Sequence, residues 1–254
     1  MQSVGVQFSR GTRPIYTVGS YDPRTQVKGL KAGAFVFTSM LPSDTTFMKF
    51  AINRSGTPSV ALNYGFLMEG TIGSTGHYTS MNFAKPNAIT ITGMPGAPIT
   101  MDSAVVGRFP TIGTANPCAA LTRATDPATT PWLFSDGGDE PVSINGTATP
   151  VGMIEVTVAN NLSPFWGVGP DEHRALTPRR RAIAGRVAIL HQGITHYTSL
   201  SNATAGTIAW TLKTGSGTLT MTGIQFANGQ IVYDAGGDEI YEVYPWIATG
   251  ISVG

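Results

Sequence analysis

Thr207-Ile-Ala-Trp-Thr-Leu-Lys213, a Gly215-Ser-Gly217 break and Thr218-Leu-Thr-Met-Thr-Gly-Ile-Gln-Phe226 decide how this chain folds. Apolar and polar residues alternate in both runs, which is the period of a half-buried strand. Ile208, Trp210 and Leu212 fall on one face. Leu219 and Met221 do the same in the second run, while Thr218, Thr220 and Thr222 point the other way. The glycines between the runs tolerate the positive φ of a tight hairpin. Working outward, Met153-Ile-Glu-Val-Thr-Val158 and Ile183-Ala-Gly-Arg-Val-Ala-Ile-Leu190 precede this pair. Glu239-Ile-Tyr-Glu-Val-Tyr-Pro-Trp-Ile247 follows it. Four alternating runs and a last extended one therefore follow in succession between Val142 and Thr249, and one segment among them breaks the pattern. Between Gly193 and Gly206, Ile194, Tyr197 and Leu200 recur at three-residue spacing, which predicts one short helix flanking the sheet.

Upstream, Ala34-Phe-Val-Phe-Thr38, Thr46-Phe-Met-Lys-Phe-Ala-Ile52, Val60 to Leu67 and Ala88-Ile-Thr-Ile-Thr92 read as strands. Met94-Pro-Gly-Ala-Pro98 ends the last of these, because proline cannot donate to a ladder. Residues 1–31 are polar, with scattered Gly and Pro, and read as an N-terminal arm with a short strand at Pro14–Val18. Residues 32–254 are expected to form a single domain, with long loops near 110–131 and 160–181. Phe134-Ser-Asp-Gly-Gly-Asp-Glu140 echoes Tyr233-Asp-Ala-Gly-Gly-Asp-Glu239, and both read as turns between strands.

Composition narrows the function. Charged residues make up 12% of the 254, against about 25% in a typical globular chain. Such poverty suits a surface buried against copies of itself, because interface cores are depleted of charge. A net charge of +1 argues against a general binder of polyanions. The lone cysteine, Cys118, permits no internal disulfide. The first residues lack the layout of a signal peptide, and no apolar run approaches the ~20 residues of a membrane helix. Assembly in a reducing cytoplasm without membrane insertion is the expectation. The sequons at Asn53, Asn145, Asn161 and Asn202 then read as chance matches.

Chemistry-bearing motifs are missing. There is no nucleophile elbow, Walker A loop, dinucleotide glycine fingerprint or paired His/Cys zinc spacing, so no catalytic residue, metal or cofactor is expected. The acidic glycine turns lack the ligand alternation of a calcium loop. His191 and His196 lie close together but have no nucleophile beside them, so surface or edge histidines are the favoured reading. Two features of the 160–181 connection point to a partner. Phe165 and Trp166 are large apolar groups in a loop, and Arg179-Arg-Arg181 is the densest charge run. All five are candidates for contacts between subunits.

The order of these segments resembles a known family. Ser143-Ile-Asn-Gly-Thr147 leads into Ile154-Glu-Val-Thr-Val-Ala-Asn-Asn-Leu162, and a Gly/Pro-rich excursion follows. Pro178-Arg-Arg-Arg-Ala-Ile-Ala-Gly-Arg-Val-Ala-Ile189 re-enters the sheet, and Tyr241-Glu-Val-Tyr-Pro-Trp-Ile-Ala248 closes it. This progression is similar to that of the tail tube (major tail) proteins of tailed bacteriophages. The resemblance implies an all-β antiparallel β-sandwich or barrel with one short flanking α-helix and long loops. It implies a structural virion protein, assembled in the host cytoplasm, whose copies form rings, commonly hexameric, stacked into a hollow tail tube. It also implies tape-measure and tail-tip partners and the non-specific passage of double-stranded DNA. A basic bore would hold that polyanion and stall it, so a neutral to acidic, Thr/Ser/Asn-rich lining is expected, with Thr218, Thr220 and Thr222 as candidates. Two other readings remain: a β-sandwich capsid or head-decoration protein, and a carbohydrate-binding module using Trp132, Trp166, Trp210 and Trp246 as stacking platforms.

Overall fold

A computed structural model describes residues 3–15, 25–41, 45–55, 60, 64–72, 75–117, 119, 131–166, 172–191, 206–215, 217–227, 229–233 and 240–254. In chain order the elements are β1 (Ser3–Ile15), β2 (Thr25–Met40), α1 (Thr46–Ile52), β3 (Tyr64–Ile72), β4 (Thr75–Gly93), β5 (Thr100–Gly107) and β6 (Thr111–Gly113). A 3-10 turn, Phe134–Gly137, precedes β7 (Val142–Ile144), β8 (Thr147–Ala148), β9 (Val151–Ala159), β10 (Leu162–Trp166), β11 (His173–Pro178) and β12 (Ala182–Leu190). The chain then runs through β13 (Gly206–Lys213), β14 (Gly217–Phe226), β15 (Gln230–Tyr233), β16 (Ile240–Ala248) and β17 (Gly250–Val253).

The expected all-β antiparallel class is observed, and the sheet does not close into a barrel within one copy. The main path runs β1-β2-β5-β4-β9-β12-β16-β14-β13-β7-β8, so the sheet folds over at β14. One side of β14 pairs with β17 through Leu219–Thr222 and with β16 through Gln225 and Phe226. Its other side pairs with β13, and Gly215 takes φ +75 in the connecting turn, as the glycines there require.

Two layers result, sharing one core. Ile208, Trp210, Leu212, Leu219 and Met221 of β13 and β14 meet Ile89 and Ile91 of β4, Ile154, Val156 and Val158 of β9, and Trp246 of β16. The alternation of the opening stretch is therefore real burial, and Ile208, Trp210, Leu212, Leu219 and Met221 are each 0% exposed. Trp210 reaches fully across to the opposite layer. A Cβ on Gly93 of β4 would lie 2.5 Å from its ring, so only glycine lets the indole seat there. Phe134 packs on the same indole, with centroids 6.1 Å apart.

Three segments differ from their sequence reading. Thr46–Ile52 is a helix and not a strand. Met48, Ala51 and Ile52 face the core together at helical spacing, whereas alternation would have put Ala51 on the opposite face from the other two. Phe47 and Phe50 continue a ring chain from Phe37 of β2, with centroids at 5.2 and 6.1 Å. This is the flanking helix of the described fold, while the helix expected between Gly193 and Gly206 falls outside the described residues. Within the 160–181 connection, read as a loop, residues 167–171 lie outside the described residues, while Leu162–Trp166 and His173–Pro178 pair as a two-stranded ribbon, β10–β11. Its prolines, Pro164 and Pro178, are tolerated because a two-stranded ribbon leaves one side of each strand without a ladder partner. The N-terminal stretch read as an arm carries a 13-residue strand, paired with β2 from Ser3↔Thr38 to Ile15↔Thr25. In the 110–131 stretch, Thr111–Gly113 pairs with β4, and residues 118 and 120–130 lie outside the described residues.

Candidate functional site

The main sheet presents a continuous outward face across β2-β5-β4-β9-β12-β16. Side chains on this face line up in rows across the strands. One row is Thr38–Asp102–Thr90–Thr157–Ala184–Ile247. The next is Met40–Thr100–Thr92–Glu155–Arg186–Pro245. A third, Val36–Ala104–Ala88–Ala159–Ala182, is entirely apolar and mostly small. Thr90 and Thr157 hydroxyls bond across the strands at 3.0 Å, and the Thr38 hydroxyl donates to Asp102 at 2.5 Å. Arg186 donates to Glu155 at 3.0 Å, leaving Asp102 as the one carboxylate of these rows without a counter-ion among the described residues. The face is thus short-chained, hydroxyl-rich and faintly acidic. Five of its six strands contain a stretch read as strand in the sequence, but β5, which carries Asp102, was not among them, and neither was the register that joins Asp102, Thr90 and Thr157.

The second layer has a similar outer face. Thr218 and Thr220 are half-buried and Thr222 is exposed, all directed away from the core as the alternation requires. Thr207 stands opposite Thr222, Ala209 opposite Thr220 and Thr211 opposite Thr218. Ser252 flanks Thr220 on its other side, so this face too is small and uncharged at its centre.

The remaining sequence candidates separate. Phe165 stands 62% exposed on the β10–β11 ribbon. Trp166 is half-buried and meets His173 edge-on, at 5.8 Å between centroids. Arg179 and Arg180 are exposed between β11 and β12. Arg181 turns inward, donating through Nε to Asn160 at 3.1 Å and through a second N–H to the Ile52 carbonyl at the end of α1. Burial, and then the nearby Arg54, push its pKa down to about 10. Asn160 completes the clamp, donating to the Ala51 and Pro86 carbonyls at 2.9 and 3.0 Å.

Two buried polar groups carried no sequence signal. Glu242 lies inside an alternating run yet is 3% exposed, held by His191 and by the Tyr244 hydroxyl at 2.5 Å. That phenol is pushed well above its usual range by burial and by the carboxylate. His191 therefore serves as an edge partner of Glu242, while His196 lies outside the described residues. His173 is 1% exposed. Burial lowers its pKa and Arg108 adds to this, against the Phe83 carbonyl and Glu172, which raise it. A base with a depressed folded pKa binds fewer protons folded than unfolded between that pKa and about 6.5. Stability is then intact above about pH 6.5 and falls as pH drops through the window below it. In thermal melts, His173→Gln is expected to flatten this acid limb; an unchanged slope contradicts the assignment.

Among the described residues no group of three His, Cys, Asp or Glu side chains could hold a metal, and no helix is long and apolar enough to cross a membrane. Trp132, Trp210 and Trp246 are at most 2% exposed, so three of the four tryptophans offered as carbohydrate platforms belong to the core. A family model described as phage tail tube protein matches residues 9–248, nearly the whole two-layered fold. The chain belongs to the phage tail tube protein family. No curated protein matches it. As a tail tube protein it is a structural component of the virion tail, from a family that self-assembles into a tube with other tail proteins and is not typically enzymatic.

Proposed function

We propose that copies of this tail tube protein close into rings, six to a ring, that stack into a hollow tube through which double-stranded DNA passes to the host. Assembly takes place in the host cytoplasm, with tape-measure and tail-tip proteins as partners. The observation that carries this reading is the outward face of the main sheet, with its rows of Thr and Ala, an Asp102 that has no counter-ion among the described residues, and the neutralised Glu155–Arg186 pair. If six copies each lend four strands, about 24 strands spaced ~4.8 Å and tilted ~40° close at a backbone radius of roughly 24 Å. Short side chains keep that bore wide. Closure between copies also removes the sheet edges that a single copy leaves open.

DNA presents one phosphate per ~1.7 Å of its axis, so even scattered free cations on the wall would retard it. Among the described residues of these three rows the one cation is Arg186, which Glu155 occupies. The threonine face of β14, Thr218–Thr220–Thr222, is the second candidate for the wall, because these three side chains are short and uncharged. Phe165, Trp166, Arg179 and Arg180 then lie in contacts between subunits, where Phe165 is the apolar anchor.

Single-cysteine variants in a Cys118→Ser background separate the two faces. In assembled tubes, Thr157→Cys is expected to react with a small maleimide and to resist a protein-sized one, while Thr220→Cys reacts with both. Bulky labelling of Thr157→Cys in intact tubes rejects the main-sheet wall, and protection of Thr220→Cys alone transfers the role to β14.

A further inference from the structure

Nearly every described carboxylate has a partner within its own chain. Asp102 accepts the Thr38 hydroxyl, Asp136 accepts the Leu133 amide, Glu155 pairs with Arg186, Glu172 lies 4.0 Å from Arg108, and Glu242 is held by His191 and Tyr244. Asp139 and Glu140 are the exceptions. Both are exposed, and they border a cleft with Pro95, Gly96, Pro150 and Val151, beside the start of β9.

An opposite vacancy exists at the other end of the same strands. Arg54 and Arg181 line a cleft of about 340 Å³ with Ile183 and Thr249–Ile251. Among the described residues no carboxylate lies within ion-pair distance of either guanidinium. Arg181 spends two of its donors on Asn160 and on the Ile52 carbonyl, and an arginine has five. Ile183 stands opposite Val158, and Val151 borders the acidic cleft. The two clefts are therefore separated by the seven steps from Val151 to Val158, about 23 Å along β9. One copy cannot join its own poles across that length, but a second copy can.

Resting on the tube reading, we infer that the Asp139–Glu140 turn of one copy enters the Arg54–Arg181 cleft of a copy in the next ring. The contact is heterologous, pole to pole, so it propagates from ring to ring and does not close as a pair. A carboxylate in the cleft also answers the burial and the Arg54 repulsion that depress the Arg181 pKa. Each such ion pair is weak alone, but the copies of a ring engage together, and linked contacts multiply.

Charge reversal tests this on the full chain. Arg54→Glu and the double variant Asp139→Lys/Glu140→Lys change exposed side chains only, and circular dichroism melts verify their folding. Under conditions where the unaltered chain forms long tubes, each variant alone is expected to stop at isolated rings. Tube yield read by electron microscopy and sedimentation should then fall at least about tenfold. An equimolar mixture restores stacking, because each variant's cleft matches the other's turn. Long tubes from either variant alone, monomers without rings, or a mixture that stays unstacked would overturn the inference. So would stacking that depends on added inorganic phosphate and ignores the reversals. If the unaltered chain forms no rings even with its tail-tip and tape-measure partners, the tube reading itself fails.

Discussion

Trp210→Ala is expected to remove about 3–5 kcal/mol of folding stability, the range for emptying an aromatic site in a packed core. The indole is 0% exposed and bridges the layers from β13 to Gly93 of β4 and to Phe134. Its removal opens a cavity between two sheets that are each held by their own ladders, so neither can collapse freely into the space. A domain stable by about 5–15 kcal/mol would lose roughly a fifth of its margin or more. At roughly 2–4 °C per kcal/mol for a chain of this size, the melting midpoint falls by about 10 °C. Trp210→Phe should cost much less, because the indole N–H has no acceptor among the described residues and its loss orphans none of them. Equal destabilisation by Phe and Ala would mean that the nitrogen is bonded after all and that packing is the smaller part.

Thr157→Lys carries the second large effect. Thr157 sits mid-row on the main-sheet face between Thr90 and Ala184, so six copies would place a belt of six ammonium groups around the proposed bore. Phosphate contacts of that number make binding steeply salt-dependent. Particles carrying the variant are expected to assemble tails of normal length yet release DNA at least about tenfold more slowly, with recovery as salt screens the wall. Thr157→Asp, which adds charge of the DNA's own sign, should release at the normal rate. Identical release by the Lys and unaltered tails places Thr157 outside the path.

What could be read from the sequence follows from where the information resides. The strands β9, β13 and β14 run for eight to ten residues with one buried face, and that pattern survives without tertiary knowledge. Seven residues of α1 hold too few turns to separate helix from strand, and Phe47 and Phe50 serve β2 while Met48, Ala51 and Ile52 serve the main core. Pro164 and Pro178 disguised a ribbon as a loop, because proline excludes a central strand but not this one. The Arg179–Arg181 run looked uniform, yet only Arg181 finds carbonyl and amide acceptors under α1. The rows of the main-sheet face and the burial of Glu242 depend on register between distant strands, a property that no local stretch contains.

The most direct test of the central claim is electron microscopy of the purified chain, alone and with its tail-tip and tape-measure partners. Hollow tubes of stacked rings with a stain-filled bore are predicted. Uniform monomers in both preparations would contradict the account.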